Sequence, residues 1–488
     1  MASGSSCGQA ASLSVSQPKV LARFLLSIAA VVLVAAALSA AAMAGPYKVK
    51  ELQAISGPSP FAAGCPGALG DEEKVAGDEI EPAITVNPAN PRNIIATWQQ
   101  DLGAAARSDL VASSLDGGKT WVRTTIPGLT ICTGGTADVA SDPWVSAGGD
   151  GTVYFVGAAG FLSADPPPVG FLASRSSDGG RTWASQATIA APDARNDKET
   201  VTASPTRPGH AYAVWGNWDH LLNFPLTSFL EFSRTTDGGA SWKPAVAVDQ
   251  VEPAAADISG EVLVLPNGTL TTVFSRIVVN LDDFSLSGEL YATRSLDDGQ
   301  TWLPPVQIVS QPIQTFLDPE TGQQLPNQDS TIHSAAVAPD GTVYVAWDRD
   351  SSATSGAIDI AKSSDGGISW SGPSTLPGVT AFAFEPAIAV DAHGTVGVTW
   401  YDNRNDIRGD TPRTTDVWFA HSDNGGTAWT QTHIAGPFDF RTAPFGRLGE
   451  YQGLASLRGR GFAAIFTQAA PQAKDGPTDI FFARIAPG

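Results

Sequence analysis

Acidic side chains recur at one place in the repeating pattern of this sequence, and they are the residue types most able to do chemistry. Glu81, Asp142, Glu261, Glu385 and Glu450 each stand at or near the start of a short apolar run that predicts a β-strand. If these strands converge, their carboxyl groups repel one another, and the pKa of some of them rises. Such a ring suits a cation, a metal ion or a neutral sugar better than an anionic ligand.

The elements that must position these residues are marked by an eight-residue motif, Ser114-Leu-Asp-Gly-Gly-Lys-Thr-Trp121, which recurs five more times. Successive tryptophans lie 62, 59, 60, 68 and 59 residues apart, a spacing typical of a supersecondary repeat. The Asp can accept hydrogen bonds from its own turn, and Gly adopts positive φ at little cost. We therefore interpret the motif as a hairpin turn and not as a catalytic site. The acidic position is held by Asp116, Asp178, Asp237, Asp297, Asp365 and, in a degraded last copy, Asn424.

Each repeat predicts four short antiparallel strands, so the fold class is all-β. First strands begin near residues 81, 142, 199, 259, 333, 385 and 450, and the last unit ends after three strands. The segment Tyr47 to Ile55 alternates well enough to supply the missing strand and so leave no free sheet edge. We predict a β-propeller of four-stranded blades closed by this N-terminal strand, with seven blades, or six as the alternative. The long loops share one face, where function is expected.

The N-terminus predicts export. Lys19 and Arg23 precede an apolar run from Phe24 to Met43, and Ala42-Met43-Ala44 gives the small-x-small pattern of a cleavage site before Gly45. We assign residues 1–44 to an export signal, 45–80 to the closing strand and a linker, and 81–488 to the propeller. The protein is then secreted or extracytoplasmic and has no stable membrane insertion, whereas an uncleaved membrane anchor is the alternative.

Charge and cysteine content restrict the partners. Lys19 and Arg23 are the only charged residues before residue 45, so residues 45–488 carry 27 basic against 49 acidic side chains, near −22. This balance opposes nucleic acid. Outside the signal, Cys65 and Cys132 form an even pair that we expect to be bonded, although both can also stay free. No phosphate loop, zinc spacing or serine nucleophile elbow is present, so we expect no cofactor and no metal. We also expect the protein to be a monomer.

Six copies of this motif, known as an Asp-box, on a predicted propeller resemble the sialidase (neuraminidase) superfamily over nearly all of residues 78–488. The resemblance implies a Tyr nucleophile paired with a Glu, an Asp acid/base and three Arg that hold the substrate carboxylate. Tyr451 opens the last unit and corresponds to the nucleophile, Glu261 opens the fourth unit and corresponds to its partner, and Asp101 corresponds to the acid/base. A Tyr at a strand start can equally be a packing residue.

The arginines are matched less completely. Arg276 follows Glu261 at the family's spacing, Arg107 lies beyond Asp101, and a third could be Arg404, with Arg408 and Arg413 as alternatives. These residues imply substrate binding, although Glu261 and Arg276 could instead form an ion pair. The chain departs from the family at the first strand, where Glu81-Pro82-Ala83 replaces Arg-Ile-Pro. Bidentate carboxylate recognition by Arg has no substitute in Glu.

Two functions follow from this sequence. One is an exported exo-α-sialidase or related glycoside hydrolase using a Tyr/Glu pair, with the site residues converging at the long-loop mouth of the channel. The other is a non-catalytic propeller that binds glycans or proteins on that face. Several Trp that end second strands are candidates for a sugar-stacking platform or for packing between blades: Trp215, Trp218, Trp347 and Trp400.

Overall fold

The computed structural model describes Met1 and residues 46–488, except residues 104, 165–167, 193–195, 218–226, 250, 252–253, 283–284, 313–314, 318–323, 330–331, 353–354, 380–381, 408 and 410–412. The proposed export signal, Trp218 and Arg408 therefore lie outside the described residues. Where the chain is described, no helix is long and apolar enough to cross a membrane.

Residues 46–488 fold as sheets of mainly antiparallel strands in a propeller arrangement, with only 3-10 turns as helical structure in the described ranges. Five sheets have four strands each. The first is β2 to β5 (Glu79–Val86, Ile94–Gln100, Ser108–Ser114, Val122–Thr125), and the second is β6 to β9 (Val139–Ala147, Val153–Gly160, Val169–Ser176, Ala187–Ala190). Two more are β20 to β23 (His333–Val337, Val343–Ser352, Ser355–Ser363, Ser374–Thr375) and β24 to β27 (Ala383–Val390, Val396–Asp402, Thr414–Ser422, Thr430–Asp439). The fifth combines β1 (Tyr47–Ala54) with β28 (Gly453–Ser456), β29 (Phe462–Ala469) and β30 (Thr478–Pro487).

The blade count corrects the prediction, because the described part of the chain has five separate four-stranded blades where seven, or six, were predicted. The physical reason is a parallel pairing of Thr227 with Ala255 and of Ser228 with Ala256, which joins two sets of strands into one eight-stranded sheet. Its strands are β10 to β17: Asn196–Ala203, Ala211–Asn217, Thr227–Thr235, Val246–Ala247, Ala255–Val264, Leu270–Val279, Leu286–Ser295 and Val306–Pro312. A separate hairpin consists of β18 (Thr315–Leu317) and β19 (Gln324–Asp329).

The N-terminal strand closes the array as the alternation predicts. Strand β1 pairs antiparallel with β30, from Tyr47 opposite Pro487 to Ala54 opposite Phe481. The edge of β30 is thereby covered by backbone hydrogen bonds. Cys65 and Cys132 are bonded, which confirms the predicted disulfide and ties the segment before β2 to the loop that leads into β6.

The hydrophobic core lies between neighbouring sheets. The described tryptophans that end second strands are at most 1% exposed, and each lies in a hydrophobic cluster formed by two neighbouring sheets: Trp98, Trp215, Trp347 and Trp400. The described tryptophans that end second strands therefore pack between sheets and do not form a stacking platform. The first strands β2, β6, β10, β14, β20, β24 and β28 line one central channel of about 350 Å³.

The repeated motif forms the turn that its residue types predict. Asp116 Oδ1 accepts hydrogen bonds from the backbone N–H groups of Lys119 and Thr120, both at 3.0 Å, and from the Ser114 hydroxyl at 2.8 Å. Backbone donation by Thr120 and then its hydroxyl lower the pKa of Asp116 below its usual range. The carboxylate is used by its own turn, as expected for a structural residue.

Candidate functional site

A repeated bulge places polar side chains at the start of the first strands. The antiparallel register shifts in β2, β6, β10, β14 and β24, so each of these strands carries extra residues relative to its partner. At each bulge one non-glycine residue adopts positive φ, which costs roughly 1–2 kcal/mol and is typical of functional positions. These residues are Glu81 (55°), Asp142 (52°), Lys198 (56°), Ser259 (54°) and Glu385 (51°).

Three of the bulges meet at a polar cavity of about 320 Å³, which we call the acidic cavity. Its ionisable lining residues are Glu81, Asp142, Asp197, Lys198, Arg447 and Glu450. Sequence analysis identified three of these carboxyl groups, and the structure confirms that they share one cavity. Lys198 lies 3.4 Å from Asp142 Oδ1 and forms a closer ion pair with Glu450 Oε2, so β10 is linked to the loop before β28.

Glu81 and Asp142 are adjacent carboxyl groups whose pKa values move in opposite directions. The pKa of Glu81 is raised to about 8, first by burial and second by the negative charge of Asp142. Burial alone would also raise the pKa of Asp142, but Lys198 and hydrogen bonds from Ser141 and Glu81 bring it below its usual value. At neutral pH Glu81 therefore holds a proton and Asp142 is ionised.

Lys198 supplies the positive charge that separates these two pKa values. Burial would lower the pKa of Lys198, but the carboxylates of Asp142 and Glu450 raise it well above its usual value, so the ammonium stays charged. Glu81 also receives a hydrogen bond from Gln99 Nε2 and lies 3.5 Å from Arg447 Nη2.

Other buried acids surround this pair. Burial raises the pKa of Asp109 and of Glu199 well above their usual values, and that of Asp197 to about 7. The carboxyl oxygens of Asp109 and Glu199 have no hydrogen-bond partner among the described residues. Glu385, one of the two remaining members of the predicted ring, is buried beside Asp348, which also raises its pKa, and it does not line the acidic cavity.

A second, smaller cavity of about 40 Å³ adjoins the first and contains the predicted Tyr/Glu pair. Tyr451, Glu261, Asp142, Glu199 and His333 are among its lining residues. The Tyr451 hydroxyl is buried and has no hydrogen-bond partner in the part of the chain that the structure describes. Burial, followed by Glu81 and Asp142, raises the pKa of Tyr451 well above its usual value, so the hydroxyl stays protonated.

Glu261 is held by its own scaffold. Its Oε2 accepts a hydrogen bond from the Ala335 backbone at 2.7 Å, and burial raises its pKa to about 8. Glu261 is thus also neutral at pH 7, and it does not pair with Arg276.

Asp101 lies outside both cavities. Its carboxylate accepts hydrogen bonds from Ser59 (2.6 Å), the Gly77 backbone (2.8 Å), Gln100 (2.9 Å) and Arg107 (2.9 Å). Arg107 also pairs with Asp71 at 2.7 Å, beside the disulfide. The contacts of Asp101 and Arg107 therefore attach the segment before β2 to the first sheet.

The other two predicted arginines are also paired within their own sheets. Arg276 binds Asp257 at 2.6 and 2.9 Å and also binds Asp249. Arg404 binds Asp402 at 2.7 Å and lies 4.0 Å over the Trp418 ring. The linings of the two cavities include Tyr451 and Glu261 but not Asp101, Arg107, Arg276 or Arg404.

Sequence reasoning did not find Lys198, Arg447, Asp109, Asp197 or Glu199. Lys198 could have been found by aligning the first strands, because it occupies in β10 the bulge position that Glu81 occupies in β2. Asp109 comes from a third strand, and no local pattern distinguishes it from an exposed acid. In the described residues, no group of three or more His, Cys, Asp or Glu side chains could hold a metal ion.

Comparison with known proteins identifies similar folds. No family model and no curated protein matches the chain. A protein of unknown function from Dyadobacter fermentans is 13% identical with a TM-score of 0.49, covering 91% of this chain and 100% of that one. An α-L-arabinanase from Penicillium chrysogenum is 13% identical with a TM-score of 0.44, over 89% and 98%. A Trypanosoma rangeli sialidase is 13% identical with a TM-score of 0.44, over 75% and 55%. The solved structures to which this chain is similar include sialidases and an arabinanase.

Proposed function

We propose that this protein is an exported glycoside hydrolase that acts on a neutral sugar at the acidic cavity. The observation that carries the proposal is the Glu81–Asp142 pair, one carboxyl group protonated and the other ionised at neutral pH. Glycoside hydrolysis needs this combination, because one group donates a proton to the leaving oxygen while the other acts as nucleophile or base.

In the proposed reaction, Glu81 transfers its proton to the glycosidic oxygen as the bond from that oxygen to the anomeric carbon breaks. Asp142 either takes a proton from the water that attacks the anomeric carbon, or attacks that carbon itself and forms a glycosyl ester. In the second route water, giving its proton to the now ionised Glu81, breaks the ester and frees the sugar and Asp142. Lys198 keeps Asp142 ionised. Because glycoside hydrolases hold their two carboxyl groups about 5 Å or more apart, substrate entry has to separate Glu81 from Asp142.

The charges around the cavity favour a neutral substrate over a sialoside. Arg107, Arg276 and Arg404 are each bound to aspartates elsewhere, and Lys198 is already engaged by two carboxylates. A sialic acid carboxylate would therefore enter an acidic site in which Arg447, already 3.5 Å from Glu81, is the single arginine among the described lining residues, too few for a three-arginine clamp. Sialoside hydrolysis through Tyr451, Glu261 and Asp101 stays the competing prediction, supported by the cavity that the first two share.

The export part of the proposal depends on residues 1–44 and on the Cys65–Cys132 disulfide, which is typical of extracytoplasmic proteins. Secretion from an expression host and N-terminal sequencing should give a mature chain that begins at Gly45. A chain that retains residues 1–44 in the membrane fraction would favour the anchor.

The test is a panel of fluorogenic glycosides with neutral sugars, arabinosides and an α-sialoside included. We expect turnover of a neutral glycoside, and a loss of about 100-fold or more in kcat for Glu81→Gln and for Asp142→Asn. Glu79→Gln is the matched control, since Glu79 is a buried acid in the same strand that does not line the cavity. Turnover of the sialoside alone, lost in Tyr451→Phe, would support the competing prediction. Binding without turnover of any glycoside would instead support the non-catalytic function.

A further inference from the structure

An exposed and strained aromatic residue lies on the loop between β27 and β28. The Phe445 side chain is 65% exposed, although aromatic side chains of this size are usually buried. Its backbone has φ 59° and ψ 13°, in the left-handed region. A non-glycine residue is strained there, and such strain persists where the surrounding structure enforces it.

The rest of this loop is firmly anchored. Phe440, Ala443 and Leu448 are at most 4% exposed, and Phe440 packs edge-on against Phe384 at 6.4 Å. The N–H of Gly446 donates to the Ala443 carbonyl at 2.9 Å, which closes the turn around Phe445. The loop is therefore fixed on both sides of a single projecting ring.

The loop that carries Phe445 reaches the acidic cavity at Arg447, which lines it, and at Gly449, which packs on Glu81. Arg447, two residues further along, contacts Glu81 at 3.5 Å. A Cβ atom on Gly449 would lie 2.6 Å from Glu81 Cγ, so the end of this loop packs directly on the bulge of β2. Since consecutive Cα atoms are about 3.8 Å apart, the Cα atoms of Phe445 and Arg447 are separated by no more than about 8 Å.

We propose that Phe445 is a stacking platform for one ring of a neutral glycan whose next ring enters the acidic cavity. An aromatic face recognises the C–H face of a sugar ring, and the rigid two-torsion side chain binds it at low entropic cost. The net charge of −20 disfavours an anionic membrane or nucleic acid at the same place. The choice of a glycan rests on the proposed function.

The experiment measures binding separately from hydrolysis. The full-length protein is applied to a printed array of neutral oligosaccharides, and Kd for the best-bound oligosaccharide is measured by calorimetry in the Asp142→Asn background, where it is not consumed. We expect Phe445→Ala to weaken binding about tenfold, which corresponds to ~1.4 kcal/mol, and Phe445→Tyr to bind as the parent does.

Two further variants separate binding from folding. Phe445→Gly removes the backbone strain as well as the ring, so it should keep or raise Tm while binding as weakly as Phe445→Ala. Leu296→Ala is the matched control, because Leu296 is 68% exposed in the motif turn after β16, and binding should be unchanged.

The proposal is overturned if the protein binds no neutral oligosaccharide, if Phe445→Ala binds within twofold of the parent, or if Leu296→Ala loses as much. Failure of the proposed function looks different: the native protein would bind through Phe445 yet hydrolyse no glycoside. If the native protein hydrolyses a glycoside but Phe445→Ala binds the oligosaccharide as the parent does, the stacking proposal is wrong and the proposed function stands.

Discussion

Replacing Lys198 by Met should destabilise the protein in a manner that depends strongly on pH. Lys198 is the cation between Asp142 and Glu450, and the side chains of all three are at most 15% exposed. Removing one partner of a buried ion pair leaves an uncompensated charge and typically costs about 3–5 kcal/mol. We expect a loss of this size in the free energy of unfolding at pH 7.

The sign of the pH dependence follows from Asp142. In the native protein the pKa of Asp142 is lowered, so its contribution to stability is present above the unfolded-state pKa and is lost as pH falls through the folded value. Without Lys198 the pKa of Asp142 should rise, and the folded variant should bind a proton that the unfolded chain releases. The free energy of unfolding of the variant then falls as pH rises from about 4 to 7, by up to ~1.4 kcal/mol per pH unit for the proton on Asp142.

Urea denaturation at pH 4.5, 5.5 and 7 measures this effect. The difference between native protein and Lys198→Met should be smallest at pH 4.5 and largest at pH 7. Lys119→Met, at an exposed position of a motif turn, is the control and should change stability by less than about 0.5 kcal/mol at every pH. A Lys198→Met penalty below about 1 kcal/mol at pH 7, or one independent of pH, would refute the charge assignment.

Three further outcomes are expected. The kcat/KM of glycoside hydrolysis should fall as pH rises through about 8, because Glu81 must be protonated to act as the acid; a rate that is flat to pH 10 would exclude Glu81. The Cys65→Ser variant lacks the disulfide that joins residues 67 positions apart, and its free energy of unfolding in denaturant titrations should be lower by about 2–4 kcal/mol. Equal stability of the native protein with and without reductant would contradict this. Gly118→Ala should lower it by about 1–3 kcal/mol, since the new Cβ would lie 2.4 Å from the Phe482 ring at φ 94°; an unchanged midpoint would show that the ring moves freely.

Local chemistry made part of this fold predictable. The hydrogen bonds of Asp116 come from residues within four positions of it, so a single eight-residue motif contains both donors and acceptor. The alternation of Tyr47 to Ile55 also predicted the closing strand, because a half-buried strand has a period of two wherever it pairs. The bonded cysteines followed from their number and the expected compartment.

The site depended on contacts between residues far apart in the chain. Lys198 and Glu450 are separated by 252 residues and Arg107 and Asp71 by 36, and no local pattern reports which acid an arginine or lysine meets. The same holds for protonation, since Glu81 and Asp142 are both acids at strand starts in the sequence. Only their burial and the position of Lys198 decide that one keeps its proton and the other does not.

The parallel pairing of β12 with β14 is likewise a tertiary outcome. Each strand has its own hairpin partner, and the local pattern predicts two separate units. Two backbone pairings at Thr227 and Ser228 join them into one sheet. Sequence by itself therefore determined the repeating hairpins and their turns, because those interactions are local; the tertiary structure decided how hairpins join and which charges meet, because these depend on the relative placement of distant strands.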